Sequence, residues 1–237
     1  MQEALKITNL TKKRDKFTLS NISFSIPEGS IMGFIGPNGS GKTTTIKSIL
    51  NLIPDTSGEI KIFGKDFEEV REEVAMVTDF SFYDEDWKVS EVEKIVKMFY
   101  KNWDEQKFNT LLHQFGIDKG KKISELSRGM NVKMMLAVAF SQGARLLVLD
   151  EPTSGLDPLA REEICAILKD YVKNSGGSIL FSTHISSDLE KVADYITFVL
   201  NGELVFSDSK DVVLAKYRST DVQTLEDIML SLCKELS

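Results

Sequence analysis

Residues 36–44 run Gly36-Pro37-Asn38-Gly39-Ser40-Gly41-Lys42-Thr43-Thr44 and fit the pattern G-x-x-x-x-G-K-[ST]. The residue types suit one task, which is to surround phosphate groups with donors at close range. Gly36, Gly39 and Gly41 let the backbone bend and approach an anion without Cβ clashes. Successive N–H groups then point inward as a nest, and the positive end of a following helix adds to it. Lys42 can reach β- and γ-phosphates, and the Thr43 hydroxyl can ligate Mg²⁺. The competing reading is a chance glycine loop. It is weakened by the apolar segment 30–35 before the loop and the helical pattern over 43–50 after it, the strand–loop–helix setting that the chemistry requires.

Further chain positions could complete such a site. Leu146-Leu147-Val148-Leu149-Asp150-Glu151 reads as a buried parallel strand ending in two acids. Asp150 at the tip suits Mg²⁺, directly or through water, and Glu151 suits a general base that polarises an attacking water. The alternative is a strand that ends in two acids before Pro152 without using them. Leu126-Ser127-Arg128-Gly129-Met130 precedes a helical run, so Ser127 and Gly129 offer a hydroxyl and N–H groups to an anion. A serine N-cap with no ligand explains that segment equally well. Ser154-Gly155-Leu156-Asp157 reads alone as a loop and a helix cap. His184 follows the strand 178–182, at the end where α/β ligands gather, although a lone histidine is more often structural.

The elements that must position these residues alternate between strand and helix. Strands are expected at 4–10, 17–26, 30–35, 59–63, 74–78, 146–149 and 178–182, with a hairpin of 195–200 and 203–207 turning at Asn201-Gly202. Between residues 90 and 142 the pattern is helical. Val89, Val92, Ile95, Val96, Phe99, Tyr100 and Trp103 share one face, with Ser90 and Glu93 as a capping box. Phe108, Leu111, Leu112 and Phe115 mark a second helix ended by Gly116, and 132–140 a third. Helices follow at 158–173 and 186–193. In the tail, 221–236, Leu225, Ile228, Met229, Leu232 and Leu236 fall on one face. The expected class is α/β: a P-loop core with a mainly parallel sheet, an N-terminal antiparallel β subdomain and an inserted α-helical subdomain.

Composition narrows the function classes. The chain has 237 residues, 42% hydrophobic and 27% charged, as in an ordinary globular protein. A net charge of −7 argues against a nucleic-acid partner, which needs a basic face. Cys165 and Cys233 form no CxxC or zinc spacing and read as two buried thiols in a reducing compartment. The N-terminus has no signal-peptide pattern, and the apolar runs fall short of the roughly 18 residues a membrane span needs. Work at a membrane would go through a partner.

Together these motifs resemble the ATP-binding subunit of a bacterial ABC transporter. GPNGSGKTT resembles the Walker A loop, LSRGM the LSGGQ signature with Arg128 for the first Gly and Met130 for Gln, LLVLDE the Walker B strand, SGLD the D-loop and His184 the switch histidine. Order and spacing match across about residues 3–210. Phe99-Tyr100 with Asn102-Trp103-Asp104 is similar to a Gram-positive subgroup of peptide and antibiotic exporters.

The resemblance implies a Mg²⁺-dependent ATPase that drives export through a separate integral membrane permease, peripheral on the cytoplasmic face. It implies a homodimer, or a heterodimer with another ABC ATPase, sandwiching ATP. Ser127 and Gly129 would then serve the partner's nucleotide. The implied catalytic residues are Glu151, His184 and Lys42. The loop 36–44, Ser127, Gly129 and Asp157 would bind nucleotide, and Thr43 and Asp150 Mg²⁺. Asp79 stands where the family usually has Gln and is a further metal candidate. Arg14 aligns with the aromatic residue that stacks on adenine, and Phe17 is the nearest aromatic. The implied organisation is one domain over 1–237. Residues 1–80 and 144–211 form the core with its β subdomain, 81–143 the helical subdomain, and 212–237 a helical extension. Segment 80–87 would dock the membrane subunit. A soluble non-transport ABC ATPase and a degenerate subunit that only binds ATP stay open as alternatives.

Overall fold

A computed structural model describes residues 2–14, 17–53, 57–217 and 223–236, with Arg14 described by its backbone alone. The chain begins with two long antiparallel strands, β1 (Glu3–Arg14) and β2 (Phe17–Pro27). Next come the short buried strand β3 (Ile31–Ile35), a loop, and α1 (Lys42–Ile49). β4 (Ser57–Ile62) pairs antiparallel with the outer edge of β1. A one-turn helix α2 (Phe67–Val70) leads to β5 (Val74–Thr78). The helical stretch holds α3 (Val89–Phe99), α4 (Glu105–Gln114) and α5 (Arg128–Ser141). Alternation then resumes with β6 (Leu146–Asp150), α6 (Pro158–Ser175), β7 (Ser178–Thr183), α7 (Ser186–Val192), the hairpin β8 (Tyr195–Leu200) and β9 (Glu203–Ser209), α8 (Lys210–Tyr217) and α9 (Leu225–Glu235).

The strands form one sheet in the order β4-β1-β2-β9-β8-β3-β7-β6-β5. The run β8-β3-β7-β6-β5 is parallel, β9 is antiparallel to β8, and β1 is antiparallel to both β2 and β4. A single parallel pairing, Ser20 with Glu203, joins the two parts.

Side-chain alternation explains how the parallel strands are buried on both faces. Ile31, Ile35, Leu147, Leu149, Ile179 and Phe181 pack toward the helices, with Met134, Phe140, Ile164 and Leu168. Their strand neighbours Met32, Phe34, Leu146, Val148 and Leu180 pack the other way, with Ile46 and Ile49 of α1 and Leu19 and Ile22 of β2. Gly33 is a position of the parallel strands where a side chain has no room, because a Cβ there would come within 2.8 Å of Leu189 and 2.9 Å of Ile196.

Several boundaries differ from expectation. The first inserted helix starts at Val89, not Ser90: Glu91 accepts from the Lys88 N–H at 2.7 Å, while Glu93 is buried and pairs with Lys119 at 2.6 Å. That helix ends before Tyr100, so its apolar face stops early and Phe99 is 71% exposed. The third helix begins at Arg128 rather than 132. α2 and α8 had no clear sequence signal. Leu225, Ile228 and Leu232 are buried as expected, but Leu236 is 55% exposed beyond the end of α9, and Cys233 is only partly buried. Cys165 is buried, and burial pushes its thiol up to about 11. No described helix is long and apolar enough to cross a membrane.

Candidate functional site

Parallel pairing brings several strand ends to one edge. Ile35 lies beside Thr183, and Asp150 beside both Ser182 and Thr78. The segments that leave these ends therefore meet where α/β sheets gather ligands.

Backbone conformation explains the glycines of the first segment. Gly39 and Gly41 have φ of 80° and 114°, a region costly for other residues. A Cβ on Gly36 would strike the Val199 carbonyl. The loop is tied from behind by the Gly202 N–H, which donates to the Ser40 carbonyl at 3.0 Å. Lys42, 6% exposed, folds back so that Nζ donates to the Gly36 carbonyl at 2.7 Å and the Pro37 carbonyl at 3.4 Å. Burial lowers its pKa, and the carboxylates of Glu151 and Asp150 oppose that shift. A cleft of about 400 Å³ runs over the loop, lined by Phe17, Asn38, Gly39, Gly41, Lys42, Thr43, Thr44 and Glu151.

The acidic pair divides its work. Asp150 accepts from the Thr43 hydroxyl at 3.1 Å through Oδ2, while its Oδ1 is buried and without a protein partner. Burial raises its pKa, and the nearby Thr43 and Ser182 hydroxyls oppose the shift. An orphaned carboxylate oxygen beside a hydroxyl is a hard-oxygen donor set, which suits Mg²⁺. No group of three or more His, Cys, Asp or Glu among the described residues forms a fuller metal cluster. Mg²⁺ commonly completes its shell with water and substrate phosphate, so the two donors fit it.

Glu151 adopts φ 54°, left-handed for a non-glycine residue, at a cost of about 1–3 kcal/mol. Two backbone bonds hold it there: its N–H donates to Ser182 at 2.9 Å, and its carbonyl accepts from Ser154 at 3.1 Å. Its Oε2 lies 2.7 Å from His184 Nδ1 and accepts from the His184 N–H at 3.3 Å, and its Oε1 lies 3.9 Å from Lys42 Nζ. Lys42, Thr43, Asp150, Glu151 and His184 thus form one connected cluster.

The remaining expected residues lie apart. The Ser127 hydroxyl accepts from the Met130 N–H at 3.2 Å and caps α5. Gly129 is buried, and a Cβ there would sit 3.5 Å from Ala160. Asp157 caps α6 by accepting from Leu159 and Ala160 at 3.0 Å. None of these three lines the cleft over the loop. Asp79 pairs with Arg128 at 2.6 Å on the wall of a second cleft of about 420 Å³, which Phe80, Tyr83, Leu126 and Asn131 also line. Phe17 borders Gly41, 3.0 Å from where a Cβ would stand. The Arg14 side chain lies outside the described residues.

Ion pairs whose partners are far apart along the chain have no warning in the sequence, and two of them bear on the elements around the site. One is Asp79 with Arg128. The other joins Arg161 to Asp188, which is 2% exposed and accepts from Nη2 at 2.7 Å and Nε at 3.2 Å. It ties the start of α6, after Asp157, to the start of α7, after His184.

A family pattern described as "ABC transporter" matches residues 19–154. The "Lantibiotic transport ATP-binding protein SrtF" of Streptococcus pyogenes is 33% identical over 219 residues, covering 87% of this chain and 91% of that one. The "Bacitracin transport ATP-binding protein BcrA" of Bacillus licheniformis is 32% identical over 218 residues, covering 86% and 69%. A solved chain described as "Structure of ATP binding subunit of ABC transporter" superposes with a TM-score of 0.84 at 25% identity, covering 97% of this chain and 99% of its own.

Proposed function

The chain belongs to the ABC transporter family as an ATP-binding, ATP-hydrolysing subunit, and from that premise we propose that it drives export through a separate membrane permease by pairing around ATP. The observation that carries this reading is Glu151, held in a strained conformation with its carboxylate against His184 and near Lys42.

In this mechanism the N–H groups of 36–44 and the Lys42 ammonium hold the phosphates. Phe17 offers the face on which adenine rests. Thr43 and Asp150 would hold Mg²⁺, which when bound would supply positive charge against the phosphate oxygens. Water attacks the γ-phosphorus, the bond to the β–γ bridging oxygen breaks, and the water proton passes to Glu151. His184 orients that carboxylate and contacts the γ-phosphate.

Ser127, Gly129 and Asp157 stand apart from the cleft of their own chain, which supports their serving nucleotide held by a second subunit, identical or not. The proposed organisation is a core of 1–80 and 144–211, a helical subdomain of 81–143 and a helical extension of 212–237. The exposed Phe80 and Phe82, next to the second cleft, supply apolar area for a permease contact and a peripheral, cytoplasmic location. Relatives named for lantibiotic and bacitracin transport support an antimicrobial peptide as cargo.

Sedimentation of the Glu151→Gln variant in saturating Mg-ATP tests the pairing. A stable ATP-bound dimer is expected, and a monomer under those conditions sinks it. Co-purification with an integral membrane protein from the source cell tests the transport assignment.

A further inference from the structure

Arg128 is the first residue of α5, and no acidic residue lies in that first turn. A cation there opposes the helix dipole, so it needs a partner from elsewhere. Asp79, just past the end of β5, is that partner. Its Oδ2 accepts from Nη2 at 2.6 Å and its carbonyl from Nε at 3.4 Å. The segment carrying Asp79 is itself pinned, because the Thr78 hydroxyl donates to the Phe80 carbonyl at 2.6 Å. The other edge of the guanidinium lies against Gly155, where an added Cβ would strike Nη1. One side chain therefore touches three segments: the end of β5, the start of α5, and the loop between β6 and α6.

We propose that Asp79 and Arg128 act as one positioning pair that fixes Ser127 and Gly129 relative to the ends of β5 and β6, so that Asp79 serves the start of α5 rather than a cation. Orientation is the natural product of such a contact. The guanidinium is a planar fork, and its two hydrogen bonds to one residue define an angle as well as a distance. Asp150 already offers Mg²⁺ an unpartnered oxygen, whereas the nearest oxygen of Asp79 to Arg128 is engaged. The effect of the pair on turnover rests on the reading that Ser127 and Gly129 complete a partner's site. Its effect on the start of α5 does not.

The test uses the full chain with Arg128→Gln, Arg128→Lys, Asp79→Asn and the exchanged pair Asp79→Arg with Arg128→Asp. Aspartate at the start of a helix is favoured by the dipole, so the exchanged chain is expected to fold. Each single loss is expected to lower kcat about 5–10-fold with KM for ATP within about 2-fold, and the exchange to recover most of the loss, as coupled neighbours do. Arg128→Lys keeps the charge but not the fork and falls between. Without nucleotide, the Met130 and Asn131 amides are expected to exchange with solvent faster in both losses and to recover in the exchanged pair.

Unchanged amide exchange in both single variants overturns the proposal. So does an exchanged pair as inactive as Asp79→Asn together with a Mg²⁺ requirement raised about 10-fold or more, because that marks Asp79 as a metal ligand. Faster amide exchange with unchanged kcat upholds the positioning pair and tells instead against the composite-site reading.

Discussion

The cluster at the strand ends and the start of α5 are both made of polar residues around a helix N-terminus, yet they are built differently. At the strand ends the anion loop is closed by buried strands in register, and polar groups are left wanting. Asp150 Oδ1 and Ser40 Oγ are buried without partners, and Lys42 is desolvated. At the start of α5 the Ser127 hydroxyl already caps its helix, and Arg128 already has Asp79. One region holds its needs inside the chain. The other has met most of its own, with only Asn131 Oδ1 among its described polar atoms still buried without a partner, and offers mainly exposed surface. Under the proposed function, chemistry belongs to the first and recognition of a second subunit's nucleotide to the second.

That contrast can be broken by substitution. The largest effect is expected from Glu151→Gln, with phosphate release slowed by about 10²–10⁴-fold, the range for losing a general base. A loss under about 10-fold moves the base elsewhere. Lys42→Ala comes next. Nucleotide affinity, read by fluorescence titration, is expected to fall by about 10–100-fold, as when hydrogen bonds to charged groups are lost. Ser127→Ala has a smaller effect of a different kind. Loss of the cap costs about 1 kcal/mol, and Tm falls by about 2–4 °C in a chain of this size. An unchanged Tm dissolves the contrast, because the hydroxyl is then no cap.

The smallest effect has the opposite sign. Burial raises the pKa of Asp150 above its unfolded value, so the group contributes stability at low pH and loses it as pH rises through the folded pKa. Asp150→Asn is therefore expected to raise the Tm of the nucleotide-free protein slightly at pH 7, with the gain fading as pH falls through the carboxylate range. A lower Tm at pH 7 counts against a cluster built at the expense of stability.

The cluster was largely legible in the sequence because its parts are local. A glycine loop between strand and helix, two acids at a strand tip, and a histidine after a strand each carry their own signal. Parallel register brings them together with no further information. The sheet was legible for the same reason, since Leu146 to Leu149 and Ile179 to Phe181 read as strands buried on both faces. The errors lie where tertiary contact overrides a local pattern. Ser90 and Glu93 look like a capping box, but Lys119 claims Glu93, and the Ser90 N–H bonds to the Lys119 carbonyl at 3.0 Å. Asp79 and Arg128 each look like a departure from a pattern. Their answer to each other lies 49 positions away along the chain, where no local rule reaches.

The left-handed backbone of Glu151 has a consequence for how such a subunit decays under mutation. Glycine is the residue that φ 54° favours, so Glu151→Gly removes the proposed base and relieves the backbone in a single change. Drift toward a more stable fold and drift toward a silent enzyme then run in the same direction at this position. A duplicated copy released from selection for turnover would slide downhill into a subunit that still grips ATP but no longer cleaves it. A higher Tm for Glu151→Gly than for Glu151→Ala would measure how steep that slope is.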